Sequence, residues 1–244
     1  MTALQLDGRL EFGMPLTNAD DRVEASTRLE PTSASDVVYF GVVKALEAQE
    51  LVPGQRLVEV DLASQFQVGR NSVREALHRL SAEGLVDLFR NRGAAIRLLS
   101  LKETMDVLDV AERMTGLLAR TAARGVVEPA HPAHRRMLPA ALKELTQAVN
   151  EEDADGFARG RRHFYRALLL LSGSAELKRL FPAIQMPIVY AQHRLAGLQK
   201  LRLRDYRLIA KAVSDGLEEE ADEAGMAHVR NVRELVLQKT AKTS

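Results

Sequence analysis

The stretch Gly69-Arg70-Asn71-Ser72-Val73-Arg74-Glu75-Ala76-Leu77-His78-Arg79-Leu80 decides the fold. Val73, Ala76, Leu77 and Leu80 recur at the spacing of one helical stripe, and Asn71, Arg74, Glu75 and His78 fall on the opposite face. Upstream, Gln67-Val68-Gly69 is too short to be more than a turn, and it follows a short helix carrying Leu62, Ala63 and Phe66. Pro53-Gly54 stops an earlier helix bearing Val38, Val42, Ala45 and Leu46. That first helix is expected to start near Ser33 or Ser35, whose hydroxyl can accept an early N–H. Downstream, Glu83-Gly84 closes the helix with the usual C-terminal glycine. Leu85 to Phe89 reads as a strand, Asn91-Arg92-Gly93 as a turn, and Ala94 to Leu98 as the returning strand.

Three short helices followed by a two-stranded hairpin make the winged helix-turn-helix pattern, which lays its second paired helix in a DNA major groove. The residues suit that use. Asn71 can cap the helix, whose first N–H groups can meet a phosphate. Arg70 and Arg74 can reach phosphates or the paired acceptors of guanine. Arg90, Arg92 and Arg97 surround a thin glycine turn. Residues 33–99 carry eight basic and eight acidic residues, so the basic groups count only through their concentration in the third helix and the wing.

The rest of the chain narrows the function class. It has 244 residues, a formal net charge of +1 and no cysteine. Disulfides, thiolate chemistry and Cys-bound zinc are excluded. No stretch of the sequence approaches the apolar length of a membrane span, and the first residues lack a secretory pattern, so a cytoplasmic protein is expected. There is no Gly-rich phosphate loop and no Gly-x-Ser-x-Gly elbow, so an enzyme is not expected. Residues 1–32 lack periodicity and read as a flexible tail. Ser100 with Glu103 forms a capping box and opens a second domain, residues 100–240, in which only helix signals occur. The expected helices are 101–124, 138–151, 153–172, 174–197, 200–216 and 218–239, the fourth broken or kinked by Pro182 and Pro187. The expected fold is mainly α, a winged helix-turn-helix at 33–99 followed by an all-helical bundle.

The runs Leu51-Val52-Pro53-Gly54-Gln55-Arg56-Leu57-Val58-Glu59, Asp61-Leu62-Ala63, Gly69 to Leu80, Ala82-Glu83-Gly84-Leu85-Val86 and Asn91-Arg92-Gly93 resemble the GntR family of bacterial regulators. The family usually has Ser-Arg-Thr-Pro where this chain has Gly69-Arg70-Asn71-Ser72. The resemblance implies DNA contacts by Arg70, Asn71, Ser72, Arg74, Arg92 and Gly93. The helical half resembles the FCD-type effector domain of the FadR subfamily, through Phe164-Tyr165-Arg166-Ala167-Leu168 and Ala227-His228-Val229-Arg230. It implies a transcriptional regulator, a repressor by preference, that binds a palindromic double-stranded operator as a homodimer and answers to a small molecule.

Many such domains hold a divalent metal through an Asp, a His four residues on, and two later His residues. The matching positions here are Arg161, Tyr165, Tyr206 and His228. An arginine cannot release its proton to a metal and a neutral tyrosine is a poor ligand, so neither a metal nor another cofactor is expected. Periodicity places Arg161 on one apolar stripe with Phe157, Phe164 and Leu168, with Tyr165 at its edge. It places Tyr206 on a second stripe with Leu203 and Ala210, and His228 on a third with Ala221 and Val232. The four can face one cavity in which Arg161 captures an organic acid directly, with His193 as a further lining residue. Arg161→Ala is then expected to remove the ligand response. The same residues also allow Arg161 to pair with a buried acid such as Glu112 or Asp205, with the tyrosines and His228 as hydrogen-bonded core. A ligand-independent architectural DNA-binding protein, using the helices only for assembly, is the other function the sequence allows.

Overall fold

The computed structural model describes residues 33–48, 50–90, 93–127, 133–184, 187–193 and 197–243. The tail expected at 1–32 and the turn residues Asn91 and Arg92 lie outside the described residues.

Helix α1 spans Ala34–Glu47 and is capped as expected: the Ser33 side chain accepts from the Asp36 N–H, and the Asp36 side chain accepts from the Ser33 N–H. A two-residue strand β1, Arg56–Leu57, precedes α2, Glu59–Phe66. Helix α3 spans Arg70–Ala82, followed by β2, Val86–Phe89, and β3, Gly93–Ile96. The sheet has three strands in the order β1-β3-β2, not the two read from the sequence. Both pairings are antiparallel, with Leu57 opposite Ala94 and Val86 opposite Ile96. Two residues are too few to show an alternating pattern, so β1 is invisible without its partner.

Val38, Val42 and Leu46 of α1 are buried against Val73, Ala76, Leu77 and Leu80 of α3, with Val86 and Ile96 of the sheet closing the core. Arg79 fixes α3 to α1. Its guanidinium lies 3.7 Å from the Tyr39 ring centroid and donates to Asp36 at 3.0 Å. The Tyr39 hydroxyl in turn donates to Glu83. The outer face of α3 is therefore held in a fixed orientation.

Among the described residues seven helices follow: α4 Leu101–Val127, α5 His134–Asn150, α6 Ala154–Ser172, α7 Ala175–Ile184, α8 Pro187–His193, α9 Leu198–Ser214 and α10 Glu218–Thr243. The capping box at α4 forms as read: the Ser100 N–H donates to Glu103 at 2.8 Å, and the Glu103 N–H donates to the Ser100 hydroxyl at 3.2 Å. The expected fourth helix is two helices. The chain passes Pro182 in helical form and a new helix begins at Pro187, where the missing N–H costs nothing at a first position. Helix α5 starts four residues earlier than expected and carries Pro139 inside it.

Two apolar cores result. One joins α4, α5, α6, α9, Leu177 of α7 and the start of α10. The other begins in the winged half and continues without a break into Leu108 and Ala111 of α4, Ile188 and Val189 of α8, and Val229, Val232 and Val236 of α10. Among the described residues, no helix is long and apolar enough to cross a membrane.

Candidate functional site

Two groups of residues carry chemistry. The first is the outer end of α3. Its N-cap is Gly69, and no side chain caps the helix. Asn71 is therefore not the cap expected from the sequence. It lies one residue inside the helix, because the chain turns at Gly69 before any side chain with an acceptor is reached. The first intrahelical bond here is the Val73 N–H to the Gly69 carbonyl at 3.2 Å, so the N–H groups of Arg70, Asn71 and Ser72 point out of the helix end. Arg70, Asn71 and Arg74 are exposed and Ser72 is half-buried. Arg74 donates to Glu59 at 2.8 Å across the helix-turn-helix. A surface pair of this kind contributes about 0–1 kcal/mol and is readily exchanged for a phosphate.

In the wing, Gly93 is exposed and takes φ +83°, in the left-handed region that favours glycine. Arg90 is exposed beside it; Arg92 lies outside the described residues. Arg97 does not join them. β3 ends at Ile96, and Arg97 turns back to donate to Glu103 at 3.1 Å. Bonds from the Ser100 N–H and hydroxyl, together with Arg97, pull the Glu103 carboxyl down to about 2. Arg97 thus secures the joint between the halves instead of the wing.

The second group is buried between the helices. All four positions matched to the family's metal ligands meet there, on α6, α9 and α10. Arg161 is 2% exposed, Tyr165 2%, Tyr206 0% and His228 0%. The Tyr206 ring lies 4.5 Å from Phe164, 5.8 Å from Tyr165 and 5.0 Å from His228, centroid to centroid. The Arg161 guanidinium is 5.2 Å from the Tyr165 ring. Three further residues complete the group, none of them singled out from the sequence. Arg202, one turn before Tyr206 on α9, stacks 3.4 Å from the ring centroid of Tyr190 on α8. Tyr190 also faces Arg161 at 5.4 Å. Glu47, the last residue of α1, accepts from Arg161 at 3.1 Å. The acid partner of Arg161 is therefore Glu47, not Glu112 or Asp205. Glu112 is taken by Arg230 and Arg233.

Asp205 holds His228 in place. Its carboxylate faces His228 Nδ1 at 3.1 Å and accepts from Asn231 and Arg204. Burial pushes that carboxyl up, but the bonds from His228 and Asn231 outweigh it and hold the group below its ordinary value. Burial pulls the His228 imidazole down, against the pull of Asp205. A neutral imidazole with Nδ1–H on a carboxylate leaves Nε2 as an acceptor, and Nε2 is buried without a hydrogen-bond partner among the described residues. Burial also raises both Tyr165 and Tyr206, which stay neutral phenols. Arg202 is 7% exposed, and its Nε and Nη2 are buried with no hydrogen-bond partner among the described residues. The group offers guanidinium donors to an anion and an imidazole acceptor to a hydroxyl. It does not suit a metal. Among the described residues, two guanidinium cations face it, His228 is its one imidazole, and the carboxylates of Glu47 and Asp205 are already engaged. Among the described residues, no three His, Cys, Asp or Glu cluster. His193 stands apart from this group: it faces the Thr104 hydroxyl at 3.4 Å, and Lys239 donates to its carbonyl.

A pH prediction follows from His228. Unfolded, it takes a proton near pH 6.5; folded, only at lower pH. Stability is therefore complete above about 6.5 and declines as pH falls toward the folded value, by up to about 1.4 kcal/mol per pH unit. His228→Gln is expected to melt with a shallower dependence than the wild type between about pH 7 and 5.5. His193, also lowered by burial, remains to give the residual slope. Parallel melting profiles for the two proteins would show that His228 is not held neutral.

The model of the gntR family of bacterial regulatory proteins matches residues 34–96, and that of the FCD domain matches residues 106–231. The Nta operon transcriptional regulator of Aminobacter aminovorans is 26% identical over 76% of this chain and 86% of its own length. A probable D-xylose utilization operon transcriptional repressor of Paenarthrobacter nicotinovorans is 23% identical over 67% of this chain and 70% of its own. Among solved structures, E. coli McbR/YncC superposes with a TM-score of 0.71 at 19% identity, covering 86% of this chain and 100% of that one.

Proposed function

The chain belongs to the GntR family of bacterial regulatory proteins and carries an FCD domain, and on that premise we propose that it is a repressor whose grip on DNA is set by a small organic anion. Transcriptional regulation is the function of the family. In our reading, residues 33–99 hold the DNA, through Arg70, Asn71, Ser72, Arg74, Arg92 and Gly93, and residues 100–240 sense the ligand. Two chains pair and place their α3 helices in successive major grooves of a palindromic operator. Catalysis has no part in this reading.

The sensing half is carried by one observation. Arg202 is buried over the Tyr190 ring, and two of its nitrogens have no hydrogen-bond partner among the described residues. Leaving a buried charged group unsatisfied costs several kcal/mol unless a ligand completes it. A carboxylate does so with paired, charge-assisted bonds. Tyr165 and Tyr206 add phenols at its edge, and His228 Nε2 can accept from a ligand hydroxyl. Arg161 is the less direct test residue, because it also holds Glu47.

Operator fragments are first selected from genomic DNA by binding and sequencing. Anions that release them are then ranked, and the best is titrated against Arg202→Gln. The concentration for half-release is expected to rise by about 100-fold or more, the loss of a buried bidentate pair. Equal release concentrations in the two proteins would sink the proposal. A thermal-shift series with the same anion separates a sensor from a purely architectural protein, since binding to the folded state stabilises by about 2.7 kcal/mol at a hundredfold excess over Kd.

A further inference from the structure

The inference rests on the anion-sensing reading above and adds how that site is tied to the winged half. Glu47 closes α1, and its carboxylate bridges two neighbours on α6: Arg161 at 3.1 Å and Arg162 at 2.8 Å. Lys44, one turn earlier, adds a looser pair with Asp155 at 3.6 Å. A second tie runs through α8. The Gln192 side chain donates to the Leu99 carbonyl at 2.6 Å and accepts from the Leu99 N–H at 2.8 Å. It thereby clasps the segment between the halves. Tyr190, on the same short helix, faces both arginines of the buried group. The first tie therefore ends on Arg161, and the second ends on α8, whose Tyr190 lies against both Arg161 and Arg202.

We propose that Glu47 is an internal carboxylate that latches α1 onto α6, and that a small carboxylate seated on Arg202 displaces it from Arg161 and frees the winged half. The exchange conserves charge at Arg161, because one carboxylate replaces another and no cation is left bare. The gain comes from Arg202, whose buried Nε and Nη2 acquire a partner that no described residue supplies. The displaced carboxylate has a place to go. A cavity of about 110 Å³ lies on the outer side of the latch, lined by Lys44, Glu47, Arg159 and Arg162 among others. Arg162 is half-buried at its edge and can keep hold of Glu47 as Arg161 lets go.

The test uses the 244-residue chain and its Glu47→Gln, Glu47→Asp and Arg202→Gln variants. Acetate, succinate and citrate are titrated by calorimetry at constant ionic strength, with succinamide as the uncharged control. Hydrogen exchange is followed at the last turn of α1 and at residues 97–100. Glu47→Gln is expected to bind a carboxylate about tenfold or more tightly than the wild type, a change of about 1.4 kcal/mol. Glu47→Asp, which keeps the charge but shortens the arm, should fall between them even if Glu47→Gln folds poorly. Exchange at both segments should quicken in Glu47→Gln without ligand, and in the wild type once a carboxylate is bound. If Arg202→Gln abolishes carboxylate binding while the wild type and both Glu47 variants bind alike, the latch is overturned and the anion site stands. If no carboxylate binds any of the proteins, site and latch fall together.

Discussion

Gly125→Val is expected to abolish cooperative folding of the helical half, or to lower its melting temperature by more than about 10 °C. A Cβ placed on Gly125 would sit 1.8 Å from the carbonyl oxygen of Leu171 and 2.9 Å from its carbonyl carbon. Both obstructing atoms are backbone, so no rotamer change relieves the clash. To reach an ordinary separation, α4 and α6 would have to part where Ala122, Ala123 and Leu171 are buried between them. Overpacking that displaces whole helices costs about 4 kcal/mol or more, a large share of a domain's total stability of roughly 5–15 kcal/mol. A glycine inside a helix already costs about 1 kcal/mol relative to alanine, and here the close approach of two backbones accounts for it. Gly69→Ala is the control: no atom lies within 4 Å of its Cβ position, and φ is −70°. Circular dichroism melts of the two variants decide the matter. A Gly125→Val protein that melts within a few degrees of the wild type would mean that the helices do not pass so closely.

Gly125 also marks where sequence reading loses its grip. The apolar stripes of α1, α3, α6, α9 and α10 are periodic within each helix, and they were legible because one helix's pattern needs no knowledge of its neighbours. The cap at Ser33 or Ser35 and the capping box at Ser100 were legible for the same local reason, while the reciprocal bond from the Ser33 N–H to Asp36 was not. The convergence of Arg161, Tyr165, Tyr206 and His228 was legible because three stripes each contributed an inward polar residue. What joins distant segments was not. β1 earns its strand character only from pairing with β3. Glu47 and Arg161 are 114 residues apart, and Glu47 reads alone as one more acid at the end of a helix. Arg202 could have been found, since it precedes Tyr206 by one turn on an inward stripe. Tyr190 could not, because α8 is too short to show a period. At α3 the sequence favours Asn71, with its side-chain acceptor, as the cap, whereas Gly69 holds the N-cap position and no side chain caps the helix.

Arg70→Ala combined with Arg74→Ala is expected to weaken operator binding by about 100-fold or more while leaving the melting temperature within a few degrees of the wild type. The orientation of α3 is the reason. Val73, Ala76, Leu77 and Leu80 fix one face in the core, and Arg79 pins the helix to α1 through Asp36 and Tyr39. The first turn is thereby held outward, with Arg70 and Arg74 exposed and with helix-end N–H groups that no side chain caps. A bidentate bond to a base contributes about 1–3 kcal/mol, and removing an arginine from a phosphate lowers the salt slope of binding by about one. Stability should hold, because the one tie broken among the described residues is the surface pair of Arg74 with Glu59. Glu59→Gln supplies the opposite sign. It releases Arg74 and removes an acid from the face, so operator affinity should rise, most visibly at low salt. Fluorescence anisotropy on one operator duplex at two salt concentrations measures all three effects. If the double variant binds with unchanged affinity and an unchanged salt slope, the first turn of α3 is not the element that enters the groove. Arg90 and the wing would then have to hold the DNA.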